Sequence, residues 1–129
     1  MVAPNPITLR SVTRATWEEL TGDLSDGDLA LMTTFRELCL DLPDVTEQVN
    51  RTEVAYAGRR IFASAFVRSH RLEPAIHLLR QVDHPLLRMA FPTTNRVVTH
   101  RLHAETPEEV RSLLPLIVEA HETVAGGTR

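Results

Sequence analysis

The side chains able to carry chemistry in this chain are arginines and histidines. Arg51 and Glu53, then His77, then Arg101 and His103, fall at matching parity within separate strand-like runs. Laid side by side, those runs project all five from one face of a sheet, because alternate residues of a strand share a face. The result is a polar, arginine-containing concavity. Guanidinium groups fit carboxylate and phosphate oxygens through paired, charge-assisted hydrogen bonds, so the ligand implied is a small anion. A catalytic version of the set uses His77 or His100 as the acid/base, with Arg51 or Arg101 holding an anionic substrate. No catalytic residue is assigned, because the chain has no glycine-rich phosphate loop, CxxC, HExxH or GxSxG. A noncatalytic binding or interaction module is therefore the leading reading. A small enzyme acting on an anion and a DNA-binding protein are the alternatives.

The other reactive side chains read as structural. His70, His77 and His84 are spaced by seven, which aligns them only on a helix, and the region reads as turn, strand and loop. His100 and His103 are three apart on a strand-like run, so they point to opposite faces and are badly placed to share a metal. No metal and no cofactor are expected. His121 falls on a helical stripe as a core-edge residue. Cys39, the single cysteine, lies on an apolar stripe and reads as a buried, inert thiol. Alone it forms no internal disulfide, which agrees with a reducing compartment and a place in the bacterial cytoplasm.

The elements that position these residues follow from caps and periodicity. Proline at 4 and 6 predicts an extended arm over residues 1–15. Thr16-Trp17-Glu18-Glu19 has the form of a capping box opening a short helix that ends near Gly22. Ser25-Asp26-Gly27-Asp28 opens a second, whose stripe runs through Leu29, Met32, Phe35, Leu38, Cys39 and Leu42 until Pro43 stops it. Alternation then predicts four strands: Val49 to Tyr56, Arg60 to Arg68, Leu72 to Arg80 and Arg96 to His103. Gly58 marks the first turn and Ser69-His70-Arg71 the second. Pro85 and Pro92 bracket Leu86, Leu87, Met89 and Phe91, read as one or two helical turns under the sheet. Thr106-Pro107-Glu108-Glu109 caps a C-terminal helix, with a kink or a break at Pro115. Residues 126–129 form a tail.

The fold class expected is α+β: a single domain over residues 16–125, with a four-stranded antiparallel sheet and two N-terminal helices and a C-terminal helix on one face. The other face stays open to water, a ligand or a second copy in a homodimer. In the hairpin, Phe62 and Phe66 share one parity and Ile61, Ala63, Ala65 and Val67 the other. One set must be core; the aromatic set is favoured, while the aliphatic choice leaves the aromatics exposed for a partner.

Composition bounds the partners. The chain has 129 residues, 43% hydrophobic and 24% charged, in the ordinary globular range. All 14 basic residues are arginine, against 17 acidic residues, for a net charge of −3 that argues against coating nucleic acid. No apolar run approaches the roughly 20 residues that cross a bilayer, and the first residues have no export signal pattern, so no membrane role is expected.

The segment Leu38-Cys39-Leu40-Asp41-Leu42-Pro43-Asp44-Val45-Thr46-Glu47 resembles the opening of the MmcQ/YjbR group (YdhG/YjbR-type bacterial proteins), where a helix ends in a leucine-proline turn before a hairpin. Val54-Ala55-Tyr56, Arg60-Ile61-Phe62-Ala63 and Val98-Thr99-His100-Arg101-Leu102 are closer to a neighbouring uncharacterised group, domain-of-unknown-function family 5655. The resemblance spans about Phe35 to Val124. It implies an antiparallel sheet with flanking helices and supplies no reaction, and the DNA-binding label attached to the first group rests on fold analogy.

Overall fold

The structure, a computed structural model, describes residues 14–126. Helix α1 (Trp17–Thr21) starts as its capping box directs: Thr16 Oγ1 accepts from the Glu19 amide at 3.0 Å, and Glu19 Oε1 accepts from the Thr16 amide at 2.9 Å. Helix α2 (Asp26–Leu40) is capped by Ser25 and buries Leu31, Met32, Phe35 and Cys39. Thr106 caps α3 (Pro107–Arg111). Pro115 has no amide hydrogen to give back to Arg111, so the C-terminal helix breaks, and α4 runs separately over Leu114–Glu122. Of the expected N-terminal arm, residues 1–13 lie outside the described residues, while Ala15 donates to the Val49 carbonyl at 3.1 Å. Of the tail, 127–129 lie outside them too, and Gly126 closes a short 3₁₀ turn, Val124–Gly126.

The sheet has six strands, not the expected four: β1 (Thr46–Val49), β2 (Val54–Ala57), β3 (Ile61–Arg68), β4 (Arg71–Leu78), β5 (Leu87–Pro92) and β6 (Val98–Leu102). Their order is β1-β2-β3-β4-β6-β5, and every neighbouring pair is antiparallel. Two local causes overturn the four-strand expectation. The run Val49 to Tyr56 is not one strand, because the Asn50 Oδ1 accepts from the amides of Thr52 (2.8 Å) and Glu53 (2.9 Å) and folds it into a hairpin. The proline-bracketed stretch is not helical. It forms β5 at the sheet edge, where Pro92, at the strand end, costs little in ladder bonds.

Helices α2 and α4 pack on the same face of β3 and β4. That face carries Val54, Tyr56, Leu72, Ile76, Leu78, His100 and Leu102, all at most 1% exposed. His100 is held in it by both ring nitrogens: Nε2 accepts from the Val82 amide at 3.0 Å, and Nδ1 lies 3.2 Å from the Val98 carbonyl oxygen. Arg36 reaches across from α2 to grip Glu47 with two bonds of 2.9 and 3.0 Å, while the Tyr56 hydroxyl donates to the same carboxylate at 2.9 Å. Beneath them, burial and then the nearby Glu47 charge push the Cys39 thiol and the Tyr56 phenol well above their ordinary values.

A bulge decides the faces of the aromatic residues. Tyr56 pairs with Ala63, but Ala57 pairs with Ile61, so Phe62 is an extra residue in β3. It turns toward the helices, fully buried, with its ring centroid 5.5 Å from that of His121. Phe66, beyond the bulge and opposite Glu73, stays half-buried on the helix-free face. Neither expected set is the core as a whole, because simple alternation fails at one residue. The adjoining turn is tight: the Ala125 carbonyl accepts from the amides of Arg59 (2.7 Å) and Arg60 (3.3 Å). A Cβ on Gly58 would stand 2.8 Å from that oxygen. Gly58→Ala is therefore expected to cost about 1–3 kcal/mol of stability, read as a lowered urea midpoint; an unchanged midpoint would show that this contact does not constrain the turn.

Candidate functional site

The structure separates the five residues singled out from the sequence. Arg51 and Glu53 are not on a strand; they occupy the turn between β1 and β2, at the far side of the sheet. Three strand intervals, roughly 14 Å, separate that hairpin from β6. His77, Arg101 and His103 do share the helix-free face. His77 stands opposite Thr99, and Arg101 and His103 follow along the same chain at two-residue steps. His100 points the other way into the core, so His77, His100, Arg51 and Arg101 have no common cleft.

Two features frame the cleft that Arg101 and His103 line. Strand β4 bridges to Ala104 through Leu72, but the regular β4–β6 ladder begins only at Ala75 and Arg101. Between them stands Pro74, which has no amide hydrogen to contribute. On the other flank of β6, Leu87 pairs with Leu102 and Met89 with Arg101, which leaves Arg88 as an extra residue in β5. The hollow between these irregularities measures about 300 Å³. Arg88, Arg101, His103 and Glu73 supply its polar lining, with Met89, Pro74 and Leu102 as the apolar remainder.

Its charges are unbalanced toward the positive. The Glu73 side chain is only 12% exposed, and its oxygens lie 3.3 Å from Arg68, 3.9 Å from Arg71 Nε and 3.8 Å from His103 Nε2. That single carboxylate is already shared. Arg71 Nε is shielded from water without a hydrogen-bond acceptor. Arg88 and Arg101 form no ion pair among the described residues. The Arg101 guanidinium carbon lies 5.9 Å from the centroid of the Phe91 ring. Guanidinium donors thus outnumber acceptors here, which suits an anion.

Both histidines of this face titrate below the ordinary histidine value. For His77 burial is the largest cause, followed by the charges of Arg101 and His100, and its Nδ1 lies 2.9 Å from Thr99 Oγ1. Thr99 is hydrogen-bonded in turn to Thr93. For His103 desolvation again leads; Glu73 pulls upward, and Arg71, Arg88 and Arg68 push downward. Among the described residues, no group of three or more His, Cys, Asp or Glu side chains comes together as a metal ion requires. No helix among them is long and apolar enough to cross a membrane.

No family model, curated protein or solved structure matches the chain. The cleft therefore stands on its own geometry. Sequence reasoning missed Glu73, Arg88 and Met89. Glu73 had a signal, since it shares parity with His77 in one strand-like run. Arg88 had none, because its position depends on a bulge.

The charge arrangement fixes two directions of change. Glu73→Gln removes the one group that raises His103, so the His103 titration should move further down; Arg101→Met should move His77 up. Histidine ring NMR titrations check both, and an unmoved pair would contradict the charge assignment. Because both groups are harder to protonate folded than unfolded, their contribution to stability is full above about pH 6.5 and is lost as pH falls through the folded values.

Proposed function

We propose that this chain is a noncatalytic binding module that takes a small anion in the cleft between β4, β6 and β5. The observation that carries the reading is a pair of guanidinium groups, Arg88 and Arg101, lining one hollow on a helix-free face with no carboxylate partner among the described residues. Nearby, Arg71 is part-exposed and lies within 4.0 Å of Glu73 and Glu105, although its Nε is shielded from water without a hydrogen-bond acceptor. In such a place two charge-assisted contacts to one anion each contribute about 1.5–3 kcal/mol. His103, neutral at pH 7 by its lowered titration, adds a polar ring without repelling or attracting strongly.

Every residue in this reading comes from one copy of the chain, so a homodimer is not required for the site. Cys39 is free and buried, which fits a reducing, cytoplasmic setting. The cleft lining holds no Ser, Thr, Cys, Lys or Tyr side chain, and His77 is hydrogen-bonded to the Thr99 hydroxyl, which is bonded in turn to that of Thr93.

The test is calorimetric titration with inorganic phosphate at low ionic strength. The wild-type chain should bind, more weakly as salt rises, and Arg88→Gln and Arg101→Gln should each weaken binding by about tenfold or more. Binding that neither substitution alters would refute the site, as would a failure of phosphate and of organic phosphates and carboxylates alike to bind.

A further inference from the structure

The cleft is not only cationic. Met89 is 53% exposed, more than Leu40, Ile61 and Leu114, the other exposed large apolar side chains among the described residues. It stands directly opposite Arg101 in the β5–β6 ladder and lines the same hollow. The backs of Pro74 and Leu102 line it as well, and Phe91, the next residue of its parity on β5, lies under the Arg101 guanidinium. An edge strand is normally defended by charge or proline at such positions. Here the defending features are displaced by one residue or to the strand end, at Arg88 and Pro92, and an unbranched thioether that adapts to varied shapes is set facing outward between them.

Resting on the anion reading, we infer that the ligand is an amphipathic organic anion: a carboxylate or phosphate joined directly to an apolar body. The head sits between Arg88 and Arg101, and the body lies over Met89. A hydrated inorganic ion uses the guanidinium groups but leaves the Met89 side chain in water, whereas an attached ring or short chain removes both apolar surfaces from it. The volume of about 300 Å³ lies at the small end for ligand pockets, which limits the body to about one ring or a short aliphatic chain.

Four probes in two matched pairs test this by calorimetry: inorganic phosphate against phenyl phosphate, and acetate against phenylacetate. In at least one pair the ring-bearing member should bind about tenfold tighter, and the pair that shows the gain identifies the head group. Met89→Ser, at an exposed position where folding is not at stake, should abolish most of that gain and leave the affinity for the ringless anion unchanged. Equal affinities within both pairs, with phosphate or acetate still bound, would overturn this inference alone, as would a gain that survives Met89→Ser. Failure of all four probes to bind would overturn it together with the anion reading beneath it.

Discussion

A proline in the middle of a sheet withholds one hydrogen bond, and the helix-free face of this protein is organised around that omission. Pro74 lies in β4, between β3 and β6, opposite Ala65 on one side. On the other side the β4–β6 ladder lapses between the Leu72–Ala104 bridge and the Ala75–Arg101 pair. The helix-covered face closes over the gap, since Leu72, Leu102 and Ala104 are fully buried there. Among the described residues the other face has no helix to close it. Because β5 is bulged at Arg88 on the opposite flank of β6, the segment from Arg101 to His103 is left between two irregular neighbours, and the hollow follows.

The treatment of arginine sets this region apart from the rest of the molecule. Arg36 is held by Glu47 through two hydrogen bonds and stacks 4.1 Å above the Trp17 ring, tying α1 and α2 to the first hairpin. Arg80 makes the same two-bond grip on Glu119, tying the end of β4 to α4, although at an exposed site where such pairs add little. In both places a guanidinium meets its own carboxylate and serves the fold. Around Glu73 one carboxylate is divided among Arg68, Arg71 and His103, and Arg88 and Arg101 are left over. An overall charge of −3 hides this local excess.

Much of the scaffold was legible in the sequence, because its signals are local. Thr16, Ser25 and Thr106 cap the helices they announce, and Pro115 interrupts the last one for the reason its missing amide implies. Parity also placed His77, Arg101 and His103 together and turned His100 away from them. What was not legible depends on contacts between distant segments. Asn50 folds one apparent strand into a hairpin, which carries Arg51 and Glu53 away from β6. Leu87, Met89 and Phe91 do alternate, but the two bracketing prolines make the stretch read as one or two helical turns, where the structure has a strand. The bulges at Phe62 and Arg88 change which face a side chain takes, and no residue type at either position announces them. Ser69 and His70 both adopt positive φ in the β3–β4 turn without glycine, and His70 is held there by Asp28 of α2 at 3.0 Å, a tertiary contact that composition does not reveal.

The central claim is spatial: an anion settles between Arg88 and Arg101 and not elsewhere on the chain. Mapping backbone amide shifts during titration with phosphate tests it directly. The account predicts that the largest shifts cluster at 73–75, 87–90 and 101–103, with the hairpin around Arg51 and the amino ends of α1 and α2 unmoved. Shifts concentrated at those helix ends or around Arg51, with the β4–β6–β5 segment silent, would contradict it.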